Sequence, residues 1–313
     1  MIEEVPKVSV ILPYYNSHAT IERAIKSVMI QSVLPLELIL INDNSPDWNI
    51  IEDKIIGLKC DFLKIIHHSR NLNGSAARNS GINVAVGDYL MFLDSDDYWL
   101  TDHIKFNLLE IKNKGLSAPF IVFSSSYVIS KSGASRLNQE KVYREISCFS
   151  EYLYCDNGSA SCITLCISKD VFHSIRFNEN LTRFQDVTFL LHSAYLKIPI
   201  FQIPISTTVI DWSNNSWYNL TKRKGLNYLF LSNYYNDYRF LFSSQAFDSF
   251  IIREYLPFIF YNRSLDLFKL VYNDLRLLKI PLYLYPKLIY YFILGVKDSI
   301  IYFFNAKSLF QYS

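Results

Sequence analysis

Three carboxylates stand within four residues at Asp94-Ser95-Asp96-Asp97, directly after the apolar run Tyr89-Leu90-Met91-Phe92-Leu93. Carboxylates repel one another and are costly to desolvate, so packing alone does not place them at the mouth of a buried strand. A hard cation accounts for the pattern, because Mg2+ or Mn2+ takes oxygen ligands and bridges protein carboxylates to substrate phosphates. The other reading is a solvated turn that caps the following helix. Two more polar clusters end apolar runs: Tyr14-Tyr15-Asn16 and Asn42-Asp43-Asn44-Ser45. One polar strand end is weak evidence, whereas three on one rim make a candidate site.

The surrounding elements determine whether the clusters share a rim. Val8–Leu12, Leu38–Ile41, Phe62–Ile66 and Tyr89–Leu93 read as short buried strands. Asn16 or Ser17 is the expected cap of a helix that carries Ile21, Ala24, Ile25, Val28 and Met29 on one face. Ser75–Val86 reads as a second helix, behind Gly74. Alternating strands and helices predict an α/β fold with a parallel sheet covered by helices, and ligands bind beyond the carboxyl ends of such strands. Further along, Phe120–Ile129 and Ser161–Ser168 are expected strands, Ser130–Arg144 a polar loop or hairpin, and Val187–Leu196 a helix.

The bulk numbers agree with a packed protein. Of 313 residues, half are hydrophobic; only 9 are Gly, while 23 are Phe and 23 are Tyr. The net charge of +2 is uneven: residues 219–313 hold 12 Lys/Arg against 6 Asp/Glu, which leaves −4 on the rest. A basic, aromatic C-terminal part on an acidic body suggests contact with an anionic surface. Its longest uncharged apolar stretch, Leu288–Val296, is nine residues, far below the ~20 that span a bilayer. An interfacial helix, or a helical subdomain packed on the body, is expected instead. The five cysteines (Cys60, Cys148, Cys155, Cys162, Cys166) form no CxxC pair and read as buried reduced thiols. Met1–Lys7 does not resemble a signal peptide, so a reducing cytoplasm is the expected compartment.

The chain resembles the family 2 glycosyltransferases. The likeness rests on Val8-Ser9-Val10-Ile11-Leu12-Pro13-Tyr14-Tyr15-Asn16, Gln31-Ser32, Glu37 to Ser45, Gly74-Ser75-Ala76-Ala77-Arg78-Asn79-Ser80-Gly81-Ile82 and Gly87 to Asp97, in register across residues 7–105. It implies a GT-A fold, a Rossmann-like, mixed and mainly parallel sheet flanked by helices, over residues 1–220. A helical, basic and aromatic region follows at 221–313. The resemblance further implies a UDP-sugar donor held by Pro13, Tyr15, Asp43, Arg78, Asp94 and Ser95, with Asp43 accepting from the base. The usual pattern there has two acids, and this chain has Asn42-Asp43. Asp96 is the expected Mn2+ or Mg2+ ligand, Asp94 faces ribose or metal, and Asp97 supports the turn. Arg78 is expected near phosphate or the acidic cluster, a structural ion pair being the alternative.

An inverting transfer also needs a carboxylate to deprotonate the acceptor hydroxyl. The family's Glu-Asp pair falls at Gln185-Asp186, so Asp186 is the expected base; a simple helix cap is the alternative role, and Asp211 the alternative base. Trp212 and Trp217 belong to an expected loop where they stack on sugar or pack in the core. His67-His68 reads as structural. The implied acceptor is a lipid-linked saccharide presented at the inner face of the cell membrane, as in O-antigen or capsule assembly, with no nucleic-acid partner. A sugar-nucleotide nucleotidyltransferase would need a Gly-rich basic loop that Pro13–His18 does not offer. A dehydrogenase would need G-x-G-x-x-G after the first strand. A membrane-docked carbohydrate-binding protein with a decayed site would not retain Asp43, Asp94, Asp96 and Asp186 together.

Overall fold

The computed structural model describes residues 6–130, 132–139, 141–145, 147–213 and 228–255. The chain divides into two compact units, Met1–Lys224 and Gly225–Ser313. The first is built on a nine-stranded mixed sheet. Its leading half is parallel: β1 (Val8–Tyr14), β2 (Glu37–Asn42), β3 (Leu63–His67) and β4 (Tyr89–Phe92), in the order β3-β2-β1-β4. The connections are α1 (Ile21–Met29), α2 (Trp48–Gly57) and α3 (Gly74–Val84). Strand side chains alternate between faces, and here both faces are covered, so β1 and β2 are buried almost throughout. Val10, Leu12, Leu38 and Leu40 join Ile21, Ile25, Val28, Ile51 and Ile55 of α1 and α2 in one core. Ile11 faces the other way, toward Gly81 of α3, where a β-carbon would come within 2.5 Å of its side chain.

Helix α1 begins at Ile21, behind Thr20, rather than at Asn16 or Ser17. The Ser17 carbonyl instead accepts from the amides of Thr20 and Ile21, a preliminary turn that delays the helix.

The trailing half of the sheet departs from the parallel pattern. Beyond β4 lie β5 (Tyr98–Trp99), α4 (His103–Asn113), β6 (Ile121–Ile129), β7 (Ser135–Leu137), α5 (Phe149–Tyr154), β8 (Leu165–Ser168), α6 (Gln185–Tyr195) and β9 (Ile200–Asp211). The order continues β4-β8-β6-β9-β5, with β7 paired to β6 as a hairpin. β8 runs antiparallel to both neighbours, whereas β6 and β9 are parallel. Of the expected strand at 161–168 only Leu165–Ser168 is extended, because Cys162–Thr164 forms a 3-10 turn. β9 carries Pro204 in its middle, which disguises it in the sequence. The pairing skips there, from Ser124↔Ile203 to Ser125↔Ser206, so the proline sits in a bulge where no ladder amide is needed.

At the amino end of the sheet, Glu37 is 1% exposed. It accepts from Ser9 Oγ (2.6 Å), the Val86 amide (2.8 Å) and Lys64 Nζ (2.6 Å), joining β1, β3 and the entry to β4. Gly87 completes the knot: its amide reaches Ser9 Oγ, and a β-carbon would lie 2.7 Å from the Ser9 amide nitrogen.

In the second unit, α7 (Tyr228–Tyr238) and α8 (Ser244–Phe250) are followed by a π-helical turn at Ile251–Tyr255. Tyr234, Tyr235, Phe247, Phe250 and Tyr255 are buried and in edge or tilted ring contact, and Tyr255 Oη donates to the Leu231 carbonyl. Residues 256–313, with Leu288–Val296, lie outside the described residues. Among the described residues no helix is long and apolar enough to cross a membrane. The five cysteines form no disulfide, but only Cys162 and Cys166 are buried; Cys60 and Cys155 are half-buried and Cys148 is exposed directly before α5.

Burial pushes the Glu37 pKa up, but its bonds to Lys64, Ser9 and Val86 outweigh this and hold it below the ordinary value of 4.5. A depressed carboxyl stabilises the fold above its unfolded pKa and loses that contribution as pH falls through the folded one. Glu37→Gln is therefore expected to cost about 1–3 kcal/mol in urea unfolding near neutral pH. The deficit should shrink as pH is lowered below 4.5. A deficit independent of pH would contradict the assignment.

Candidate active site

The site lies beyond the carboxyl ends of β1, β2 and β4. Asp43 follows β2 and is 3% exposed. Its Oδ1 accepts from the Leu72 amide (2.8 Å) and from His68 Nδ1 (2.7 Å), and its Oδ2 accepts from the Asn73 amide (2.9 Å). Because the Asp43 carboxylate only accepts, His68 Nδ1 carries the proton it donates, and His68 Nε2 meets Ser80 Oγ at 2.9 Å. Each carboxylate oxygen has two lone pairs, so one remains, on Oδ2, for an N–H from outside. Asn73, at φ +80°, is the N-cap of α3, its Oδ1 accepting from Ser75 and Ala76. Asn42 serves the turn: its Oδ1 accepts from the Ser45 amide and its Nδ2 meets His67 Nδ1.

Arg78, one turn into α3, is the centre of the site. It is 8% exposed; Nη2 meets Asp94 Oδ1 at 2.5 Å and Nη1 meets Gln185 Oε1 at 3.2 Å. Gly74 leaves room for this, since a β-carbon there would stand 3.1 Å from Nη1 and 3.2 Å from the Gln185 oxygen. Burial works to lower the arginine pKa, and the negative charges around it outweigh burial. Cys162 also adjoins Arg78, but burial pushes its thiol far up and keeps it neutral, so the counter-charges are Asp94 and Asp186.

Asp186 lies in the first turn of α6, half-buried, with Oδ1 accepting from the Val187 amide at 2.8 Å. Phe184, not Asp186, is the N-cap, and it holds φ +59°. A bulky side chain in the left-handed region marks local strain. Gln185 is fixed by Nε2 donating to the Leu181 carbonyl at 2.7 Å, and it also approaches Asn73 Oδ1 at 3.4 Å. Desolvation raises the Asp186 pKa, and the nearby Arg78 charge opposes the rise. A carboxylate with a raised pKa, held beside a cation, is suited to take a proton from a hydroxyl.

The acidic turn is closed by the Asp97 amide donating to the Asp94 carbonyl. Asp97 is buried and its Oδ1 accepts from the Asp211 amide at 2.9 Å, tying the turn to the end of β9. Burial first, then Asp96 and Asp94, push the Asp97 pKa well up. Asp96 is exposed, and its carboxylate bonds to no other described residue. Desolvation first, then the Asp94 charge, raise its pKa. Asp211 forms an ion pair with Arg23 of α1. Burial is outweighed there by bonds from Ser213 and Arg23, which hold the Asp211 pKa down and suit it poorly to accept a proton.

Asp94, Arg78 and Asp186 thus converge, with Asp43 linked to them through Asn73 and Gln185. Pro13 is half-buried at the end of β1, Tyr15 is exposed on the rim, and Ser95 is buried in the turn. Trp212 is half-buried, its amide prolonging the β9 ladder to the Ile129 carbonyl; Trp217 lies outside the described residues. Among the described residues no three His, Cys, Asp or Glu side chains form a complete cation cage. The residues fit a Mg2+ or Mn2+ ion that keeps one or two protein carboxylates and takes its other ligands from phosphate and water, with Asp96 the free one. Arg23 and Asn73 escaped the sequence reading, whereas His68, read as structural, supports Asp43. Asn73 had a signal, an Asn directly before the first residue of a helix.

Residues 9–162 match the family described as Glycosyl transferase family 2. Over 183 residues the chain is 30% identical to the amylovoran biosynthesis glycosyltransferase AmsB of Erwinia amylovora, covering 57% of this chain and 60% of that protein. It is 36% identical over 103 residues to the Escherichia coli glucosyltransferase WfaP, covering 31% of this chain and 38% of the relative. Both matches span less than two thirds of the relative. A crystal structure of S. aureus TarS residues 1–349 with UDP superposes with a TM-score of 0.55 at 18% identity, over 82% of this chain and 78% of that one, and so shares the fold. The chain carries a family 2 glycosyltransferase domain of the GT-A type.

Proposed function

We propose that this protein is an inverting, cation-dependent glycosyltransferase of bacterial surface-polysaccharide assembly. It moves a hexose or N-acetylhexosamine from a UDP-sugar to a lipid-linked saccharide at the inner face of the cell membrane. The observation that carries the reading is the position of Arg78, which meets Asp94 on the donor side and Gln185, next to Asp186, on the acceptor side. Asp43 keeps one acceptor lone pair for the uracil N–H, and exposed Tyr15 offers a ring to the base. Asp186 takes the acceptor proton as the hydroxyl attacks the anomeric carbon from the face opposite the diphosphate. Bound at Asp96, Mn2+ or Mg2+ supplies charge neutralisation for the departing diphosphate.

Relatives support the donor and acceptor classes. WfaP is named as a UDP-Glc:α-D-GlcNAc-diphosphoundecaprenol β-1,3-glucosyltransferase, and another TarS structure holds UDP-GlcNAc. The excess of basic residues in 219–313 supports docking on an anionic membrane.

Asp96→Ala is expected to lower UDP affinity at least tenfold in Mn2+ and to leave it unchanged without cation, read by protection against thermal unfolding. Equal affinity for both proteins in Mn2+ would remove Asp96 from the cation site. Asp186→Asn should bind UDP normally yet transfer sugar about 10²–10⁴ times more slowly; near-normal turnover would place the base elsewhere. Because the Arg78 charge restrains the raised Asp186 pKa, Arg78→Met should move the acid limb of the kcat/KM profile to higher pH. A limb that stays in place or moves down would break the link between the two.

A further inference from the structure

Arg23 lies 188 positions from Asp211 and on a helix that carries no other site residue, yet its guanidinium is built into the acidic turn. Nη1 pairs with Asp211 Oδ2, Nη2 donates to the Asp96 carbonyl at 2.6 Å, and the guanidinium lies 4.8 Å from the centre of the Tyr98 ring. Asp211 in turn gives its amide to Asp97 Oδ1. Five carboxylates, Asp94, Asp96, Asp97, Asp186 and Asp211, therefore share two guanidinium groups. Arg78 pairs with Asp94 and Arg23 with Asp211, while the Asp96 carboxylate bonds to no other described residue.

Resting on the cation-dependent reading above, we infer that Arg23 is a resident counter-ion that keeps free divalent cations out of the acidic turn until a nucleotide diphosphate arrives. The argument is one of charge balance. A fixed positive charge bonded to the turn repels an approaching cation and offsets the acids that would otherwise attract it. The donor's diphosphate brings enough negative charge to overcome that repulsion, so cation and donor enter together. Arg23 acts by its charge, held in place by Asp211 and the Asp96 main chain, and touches no reacting atom.

The test is the binding of Mn2+ alone, read from the electron paramagnetic resonance signal of free Mn2+ without nucleotide. Arg23→Gln is expected to bind Mn2+ about tenfold tighter than the wild type, or ~1.4 kcal/mol. Arg23→Lys, which keeps the charge, should stay at the wild-type value. The gain should vanish in Arg23→Gln/Asp96→Asn. A merely structural role would weaken binding or leave it alone, so equal or weaker Mn2+ binding by Arg23→Gln overturns the inference. Should Arg23→Gln fold poorly in thermal unfolding, Arg23→Met, which keeps the stem against Tyr98, is held to the same expectation. Wild-type protein that gains no UDP affinity from Mn2+ would instead sink the cation-dependent reading itself.

Discussion

Burying a guanidinium is costly unless carboxylates share its enclosure, and the enclosure around Arg78 holds two of them. Asp94 comes from the end of β4 and Asp186 from the first turn of α6, so one charge on α3 fixes elements that are distant in sequence. Removing one partner of such a pair costs about 3–5 kcal/mol, because the other is left buried and uncompensated. The end of β4 and the start of α6 are thereby joined through a single residue. Gly74 and the side chain of Gln185 keep room and orientation for that side chain.

Gln185 shows what this junction tolerates. The resemblance implies a Glu there, and the neutral Gln185 of this chain still accepts from Arg78. With one anion fewer at that position, the arginine charge falls on Asp94 and Asp186. Gln185 thus acts here as a spacer that holds the guanidinium fork beside Asp186.

Much of the fold was legible because period and chemistry agree in the first hundred residues. Continuous apolar runs ended by Asp or Asn mark buried parallel strands and their rim, and the acids on that rim have no packing reason to be there. The rest was harder for specific reasons. β9 hides because Pro204 interrupts it, and only pairing with β6 reveals the bulge. The start of α1 was displaced by a turn at Ser17. Arg23 could not be read at all, since an Arg on an amphipathic helix looks like any solvated charge until β9 brings Asp211 beside it. The fate of Asp43 was half visible: its type suggested a base acceptor, but not the loop amides it also holds.

That second duty of Asp43 bears on how donor choice can change over evolutionary time. The carboxylate proposed to meet the base is the same one that closes the Leu72-Asn73 loop and seats the first turn of α3. A lineage cannot retune base preference at this position without loosening the helix that carries Arg78. Drift toward another nucleotide must therefore begin at neighbours with no such obligation, and exposed Tyr15 on the facing strand end is the freest of them.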